Sequence, residues 1–382
     1  MGEIKRFWLE KEQCTGCGGC SNICPKNAIA MVADSTGFIY PQINDKCIGC
    51  NLCEKLCNER LTLHGYNPLK VYACWSKNEE NRFYSTSGGL FGELVAPILK
   101  SGGYVIGAAY DDNNLVEHIS IHSIDDLKKI QQSKYLQSNP KDIYKEVQEL
   151  LKCGYEVAFC GAPCQIASLR AYLKHDYENL LTIDFICRGV NSPKAYKAWL
   201  NEIEEEYALK ITSVWFKYKV GGWKSSPKRT KLQFSNGKNL ILEGDKNLYM
   251  VGYLGPNLYI RPSCGNCDFK GAERLSDITL ADFWGIEKEY DDDKGTSMVM
   301  LNSSKGLSAW NRIADRLNYV EKDVQKIVDR NPCFTGSVSI NPNSVNFLES
   351  LDNQSFSKAL SRYYKSEGRI KKLLKKIKGR LK

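Results

Sequence analysis

The sequence predicts an α+β protein in two parts: a small cysteine-rich front unit, then a larger mixed α/β domain that carries an antiparallel insertion. Three observations lead there. Half of the sixteen cysteines fall between Cys14 and Cys57, in two superposable runs. From Val71 onward strand-like and helix-like segments alternate, as they do in α/β cores. Beyond Ile211 the period shortens to hairpin alternation around an Asn-Gly pair.

A length of 382 residues exceeds one small domain, and an apolar fraction of 42% with 25% charged residues is ordinary for a globular chain. The start, "MGEIKRFWLEKEQC", has no apolar run after its charges, so no secretory signal is expected. The most apolar window, "GLFGELVAPILKSGGYVIGAAY", is broken by Glu93, Lys100 and several glycines, too often to span a bilayer. A soluble, cytoplasmic protein is expected. Sixteen cysteines in such a setting point to metal or redox chemistry rather than disulfides. Of the net charge of +9, the last 17 residues supply +7, with eight Lys/Arg against one Glu. The rest is close to neutral, and no nucleic-acid partner is expected.

The front unit, residues 1–63, is read first. Cys14, Cys17, Cys20 and Cys24 recur as Cys47, Cys50, Cys53 and Cys57, each pair offset by 33 residues. Each half reads C-x2-C-x2-C-x3-C, the run of bacterial two-cluster ferredoxins. Three cysteines on a tight loop wrap one cubane, and Gly16, Gly18 and Gly49 let backbone amides approach its sulfurs. The fourth is expected to open a short helix and reach the other cluster. That assigns Cys14, Cys17, Cys20 and Cys57 to one 4Fe-4S cluster, and Cys47, Cys50, Cys53 and Cys24 to its mate. Pro25 stands where the pattern has proline, whereas Asn58 replaces it in the second half, weakening a helix stop without removing a ligand. Thiolates also bind zinc tetrahedrally, but two superposable four-cysteine runs favour cubanes.

"HGYNPLK" reads as a linker to the body, residues 70–345. There "KVYACWS" is a strand, "STSGG" a turn and "LFGELVAPILK" a helix. "GGYVIGAAYD" is a strand, "DIYKEVQELLKC" a helix and "YEVAFCG" a strand. The loop "APCQ" leads into the helix "IASLRAYLK", and "LLTIDFICRG" is the next strand. "SVWFKYKV" and "KLQFSNGKNLILEG" form the antiparallel insertion. Between a strand and a helix, the small residues of "STSGG" suit an anion site at a helix N-terminus, although glycines that merely turn the chain look the same. "QSKYLQS" is polar with an aromatic and a lysine, as a solvated loop would be. Cys160 and Cys164 flank "GAP" at a strand end, Cys187 ends the next strand, and Cys264 with Cys267 makes a C-x2-C pair. Such a pair serves zinc, a redox dithiol or half an iron–sulfur site. Together the loop cysteines invite a third cluster, the alternative being inert or dithiol cysteines.

In order behind the ferredoxin-like front, "STSGG", "GGYVIGAAYD", "SKYLQS", "GAPCQIASLRAYL", "FICRGVNSP" and "RPSCGNCDFKG…SDITLADFWG" resemble the coenzyme F₄₂₀ hydrogenase/dehydrogenase β-subunit family. The likeness is strongest to its bacterial branch, in which ferredoxin and flavin domains are fused. The resemblance implies FAD and a further 4Fe-4S cluster in the body, three clusters in all. It carries the body cluster onto Cys164, Cys187, Cys264 and Cys267. It carries the flavin onto Ser85, Ser87, Gly88 and Gly89, with Ser133, Lys134, Tyr135 and Ser138. Lys134 beside a flavin would favour its reduced anion by Coulomb attraction. Bacterial relatives often have Cys-His-Gly where this chain has Cys187, Arg188 and Gly189. A guanidinium does not deprotonate, so Arg188 is expected to hold an anionic substrate instead. Lys134 and Arg188 are the candidate catalytic residues. Cys160, Cys74, Cys153 and Cys333 receive no role.

The reading that joins both halves is a ferredoxin-coupled flavoenzyme. Single electrons enter from a ferredoxin-type donor, and a small-molecule or glycan substrate leaves reduced by two, with surface-polysaccharide biosynthesis as an analogy. Three others compete: an F₄₂₀-exchanging subunit of a larger complex, an electron-transfer module without a substrate, and a dithiol reductase using "CGAPC". In the tail, 346–382, Ile370, Leu373, Leu374, Ile377 and Leu381 share one helical face among basic residues. That pattern suits peripheral contact with an anionic membrane or an acidic partner.

Overall fold

A computed structural model describes residues 9–325 and 331–364. The front unit contains a two-stranded antiparallel ladder, β1 (Ile29–Ala33) and β2 (Ile39–Ile43), with helices α1 (Gly19–Ile23) and α2 (Leu52–Thr62). Its internal repeat is visible in the backbone. Gly16 and Gly49 both take positive φ, 67° and 70°, and so do Gly18 and Asn51, 76° and 57°, which cap α1 and α2. Asn tolerates the left-handed region well enough to replace Gly in the second copy. The fourth cysteines do not open helices: Cys24 ends α1, and Cys57 lies inside α2. Pro25 stops the first helix after five residues, while Asn58 lets the second run to eleven.

The body is built on a nine-stranded mixed sheet. Its strands are β3 (Lys70–Ser76), β4 (Tyr104–Tyr110), β5 (Val116–Ile121), β6 (Ser138–Asn139), β7 (Val157–Cys160), β8 (Leu180–Phe185), β12 (Ile278–Asp282), β13 (Ser297–Leu301) and β14 (Leu317–Glu321). The order is β14-β3-β13-β12-β8-β7-β4-β5-β6. β12, β8, β7 and β4 are parallel, and their antiparallel neighbours β13 and β5 flank them. Alternation sorts the side chains to two faces. Val105, Ala158, Leu181 and Ile183 pack under α4 (Leu90–Lys100), α5 (Leu127–Ile130) and α10 (Ser304–Asn311). Ile106, Val157, Phe159 and Leu180 pack under α6 (Ile143–Lys152) and α7 (Pro163–Leu173). The expected insertion is a separate three-stranded sheet of β9 (Ile211–Phe216), β10 (Thr230–Phe234) and β11 (Asn239–Leu242), turning at Asn236-Gly237.

Three further expectations shift. "APCQ" is not a loop: Pro163 takes the first position of α7, where its missing N–H costs nothing, and the Gln165 side chain accepts from the Ala162 amide at 2.9 Å. "STSGG" follows a helix, α3 (Glu79–Tyr84), rather than β3 directly. The boundary expected before residue 346 falls inside the body core as well. Phe347, Phe356 and Leu360, on the helices Ser344–Ser350 and Phe356–Tyr363, are buried against Trp199, Tyr259 and Tyr249 of α9 (Leu248–Leu254). The basic face of residues 366–382 lies outside the described residues.

The front unit is bolted to the body. Arg261 is fully buried; its Nε donates to the Cys14 carbonyl at 2.7 Å and its Nη2 to that of Ile39 at 3.1 Å, with the Tyr40 ring 4.2 Å away. The Tyr144 hydroxyl donates to the Cys17 carbonyl at 2.7 Å, and Asn22 donates to that of Lys141 at 2.7 Å. Ser192, the N-cap of α8 (Pro193–Tyr207), donates its hydroxyl to the Thr36 carbonyl at 2.6 Å. The linker is pinned too, since Tyr66 and Arg274 exchange backbone hydrogen bonds of 2.7 and 2.9 Å. Arg261→Met removes the donor from the buried Cys14 carbonyl, at about 1–3 kcal/mol, and from the part-buried Ile39 carbonyl. Its urea midpoint is expected to fall and protease cleavage in segment 64–69 to accelerate, with the far-ultraviolet dichroism of the native state unchanged.

Candidate functional site

The carboxyl ends of β4, β7, β8 and β12 open onto one cavity of about 730 Å³, where open α/β sheets place their ligands. Segments far apart in sequence line it: Ser85 to Ser87 and Gly89, Ser133 to Ser138, Cys160 to Gln165, Cys187 to Gly189, and Cys264 with Cys267.

Two groups of neighbouring cysteines stand out in the front unit. Burial and the charges of Cys17, Cys14 and Cys57 push the Cys20 thiol well up, so these four stand together. Burial, Cys24 and Cys50 raise Cys53 in the same way. Cys50 is exposed, so the second set faces the surface. Burial opposes the Cys17 thiolate, but Arg60, Ser168 and the Gly19 backbone outweigh it and bring the thiol down.

In the body, Cys164 sits in the first turn of α7 and Cys187 follows β8. Cys264 and Cys267 lie on and just after a 3₁₀ turn, Pro262–Asn266. Burial and then the charges of Cys17, Cys187, Cys267 and Cys264 drive the Cys164 thiol up, so the four expected ligands are mutual neighbours and Cys17 of the front is beside them. Gly189, at φ 144°, is required here, because a Cβ would meet Ile260 at 2.9 Å and Cys264 at 3.2 Å. The Lys270 ammonium donates to the carbonyls of Cys187 and Cys333 at 2.6 and 3.0 Å. All sixteen cysteines are free thiols. Among the described residues no three His, Cys, Asp or Glu side chains converge tightly enough to hold a single ion. Uncrosslinked cysteines gathered in groups, with Arg60 and Lys270 beside two of them, fit a polynuclear iron–sulfur group as donors.

Seven of the eight expected flavin contacts line the cavity. Gly88 does not: a Cβ there would strike the Cys74 carbonyl at 2.5 Å, and its amide donates to Ser297 Oγ at 2.9 Å. It serves close packing. The hydroxyls of Ser85 and Ser87 are committed internally, to the Asn81 and Thr296 carbonyls at 2.8 and 2.6 Å. Thr86 Oγ1 accepts from the Ser133 amide at 2.8 Å and so joins the two polar segments. "SKYLQS" is no solvated loop. Asn191 and Tyr249 donate to the Tyr135 carbonyl at 2.9 and 2.6 Å, and Leu136 and Gln137 are buried. Gly89 starts α4 at φ 90° with no side-chain cap, leaving amides of its first turn beside the cavity. Buried Gln137 Nε2 and Arg188 Nη1 have no partner among the described residues, and both residues line the cavity. Arg188 is otherwise held by Asn257 at 2.8 Å and stands over the Tyr253 ring at 5.1 Å. Lys134 donates to the Gln131 and Lys129 carbonyls at 2.6 and 3.1 Å.

Sequence reasoning missed several groups. Lys217, at φ 56° and 2% exposed, pairs with Asp282 and stands 5.1 Å from the Trp284 ring, and all three residues line the cavity. A lysine amid the aromatics of "SVWFKYKV" was the available signal. His118, tied through Nδ1 to Ser138 Oγ at 2.7 Å and kept neutral by burial at about 4, is another. Cys333, expected to be idle, is on the wall. The cations Lys134, Arg188 and Lys270 have no carboxylate partner among the described residues, whereas Asp184 and Asp282 are paired with Arg274 and Lys217. The cavity therefore favours an anion.

Residues 154–326 match the family model for the C terminus of the beta subunit in coenzyme F₄₂₀ hydrogenase/dehydrogenase, and residues 13–60 match a 4Fe-4S dicluster domain. The iron-sulfur subunit of the CoB–CoM heterodisulfide reductase from Methanocaldococcus jannaschii is 28% identical over 83 residues, 18% of this chain and 13% of that protein. A ferredoxin of the same organism is 33% identical over 49 residues, 13% of this chain and 64% of its own length. The chain thus spans less than two thirds of these curated relatives. The F₄₂₀-reducing NiFe hydrogenase complex of Methanosarcina barkeri aligns at 15% identity and a TM-score of 0.45, covering 78% of this chain and 91% of that one.

Burial brings the Lys134 ammonium from 10.5 down to about 7. Between those values the unfolded chain keeps a proton that the folded chain has released, so stability rises with pH across that window. Urea unfolding from about pH 6 to about pH 9 is expected to show wild type gaining on Lys134→Met above neutrality. A constant difference would mean that Lys134 stays charged.

Proposed function

We propose that this chain, whose residues 154–326 belong to the coenzyme F₄₂₀ hydrogenase/dehydrogenase β-subunit family and whose front is a 4Fe-4S dicluster domain, is a ferredoxin-coupled, flavin-dependent oxidoreductase. It takes single electrons from a ferredoxin-type donor and returns pairs to an organic substrate, a small molecule or glycan. One observation carries the reading: Cys164, Cys187, Cys264 and Cys267 share the wall of a single 730 Å³ cavity with polar segments and with cations that have no carboxylate partner among the described residues. A pure electron carrier has no use for such a cavity. FAD, bound there, supplies a centre that holds one or two electrons.

The chain's own residues have separable tasks. Cys164, Cys187, Cys264 and Cys267 would hold the third cluster. Ser133 to Ser138, Thr86, Gly89 and the first turn of α4 would hold FAD, with the uncapped amides facing its phosphates. Lys134 offsets negative charge. Arg188 has Nη1 free to orient an anionic substrate group. Lys217, kept charged by its ion pair with Asp282, supplies a fixed cation on the wall. The dithiol alternative is disfavoured, because burial and then Asp184 push the Cys160 thiol up to about 12 while Cys164 stands among the other body cysteines. The name of the matched family favours one second reading, in which the same cavity exchanges electrons with F₄₂₀ as part of a complex.

Anaerobically purified protein is expected to hold about twelve iron atoms with matching sulfide and one FAD. Cys264→Ser should fall to about eight iron atoms, with the front clusters' spectra retained. Eight iron atoms and no flavin in wild type would overturn the proposal. Turnover with a reduced deazaflavin but not with reduced ferredoxin would move the chain to the second reading.

A further inference from the structure

Five arginines are buried among the described residues: Arg60, Arg82, Arg229, Arg261 and Arg274. Three have a carboxylate partner, Arg82 with Asp292, Arg229 with Glu243 and Arg274 with Asp184. Arg60 and Arg261 have none among the described residues, and both stand where the front unit meets the body. A guanidinium taken out of water without a counter-charge is costly and cannot shed its proton, so something negative must face these two.

The contacts identify it. Arg60 is 2% exposed and lies one turn after Cys57 on α2. Its Nη1 donates to Thr15 Oγ1 at 2.7 Å and reaches Cys17 Sγ at 3.6 Å, while Nε donates to the Cys57 carbonyl at 3.3 Å. On its other side is the Phe269 ring, 6.0 Å away and two residues beyond Cys267. Burial weakens its charge, and Cys17, Cys57 and Cys164 more than restore it. Those cysteines belong to both sets, two to the front and one to the body. Arg261 repeats the pattern: its side chain donates to the Cys14 carbonyl, and its own carbonyl accepts from the Cys264 amide at 3.0 Å.

We infer that Arg60 and Arg261 are the counter-ions of an iron–sulfur junction, shared between the cluster on Cys14, Cys17, Cys20 and Cys57 and the one on Cys164, Cys187, Cys264 and Cys267. The inference rests on the three-cluster reading above. Each cluster gains one negative charge on reduction, with no bond or proton exchanged, so a fixed neighbouring cation favours the reduced form. The two junction clusters therefore have higher potentials than they would have without these arginines, whereas beside the cluster on Cys47, Cys50, Cys53 and Cys24 no buried arginine lies among the described residues. An electron from the donor steps inward from the exposed cluster and is held at the junction until a second follows.

Arg60 is the cleaner test, because its bonds stay within the front unit. In a redox titration followed by electron paramagnetic resonance, Arg60→Gln is expected to lower the reduced-to-oxidised ratio of both junction clusters about tenfold at fixed potential. That is about 59 mV for a one-electron couple. The exposed cluster should not move, and the shift should not depend on pH. Arg60→Lys should restore most of it. Unchanged potentials in fully loaded Arg60→Gln, or a shift in one junction cluster alone, would overturn the shared role. If Arg60→Gln loses iron, the lysine variant decides: near-native potentials support the charge, and iron loss there too makes Arg60 a structural brace. An iron count near eight in wild type would sink the three-cluster reading before any variant is made, so the two failures are distinguishable.

Discussion

The close approach of two cysteine loops from different domains is the constraint on which everything else depends. Cys17 of the front and Cys164 of the body are electrostatic neighbours, and α7 makes them so. One side of α7 lies on the sheet through Ile166, Leu169 and Leu173. Its other side takes α1 so tightly that a Cβ on Gly19 would collide with Ser168 Oγ and meet Leu56 at 2.7 Å. The first turn of the same helix offers Cys164. A helix that carries Cys164, packs on the sheet and receives the front unit fixes the spacing of both cysteine sets at once. That explains why the docking face uses buried polar bonds with specific partners, such as Arg261 and Tyr144, rather than a plain apolar patch that would tolerate sliding.

Burying those bonds has an electrostatic consequence. Arg60 and Arg261 would be a liability in an apolar interface, and replacing buried charges by hydrophobic residues often stabilises a protein. Their retention makes sense if thiolate-bound clusters supply the missing negative charge. Folding and cluster loading are then coupled, since a chain without clusters has to hide two uncompensated guanidiniums at its most crowded junction.

The 4Fe-4S dicluster character of the front was legible in the sequence because cubane geometry is enforced by local spacing, and local spacing is what a sequence displays directly. The parallel strands were legible as apolar runs between helices, and so was the Asn236-Gly237 turn. Errors arose where one segment allowed two local readings. Pro163 followed two residues later by Gln165 opens a helix, yet beside Gly161 and Ala162 it reads equally well as a loop. "SKYLQS" is polar in composition but buried, because Asn191 and Tyr249, 56 and 114 residues away from Tyr135, hold its backbone. The body cysteines could be grouped only by resemblance, since no local spacing links Cys164 to Cys264. Arg60, Lys217 and Cys333 gave little sign, because their importance lies in what the fold brings to them.

The chain's charges divide labour between the junction and the cavity. At the junction the cations are guanidiniums, which cannot titrate and so hold a fixed field. Around the cavity the amine of Lys134 and the neutral imidazole of His118 are groups whose protonation can respond to a bound ligand. Burial brings the Lys134 pKa close to neutral. Lys217 is kept charged because Asp282 outweighs the burial that opposes it. Electron transfer between clusters needs no proton, whereas reducing an organic group by two electrons usually does. Permanent cations beside the cysteines and proton-exchanging groups beside the cavity are therefore the arrangement expected of a chain that gathers electrons in one place and delivers them, with protons, in the next.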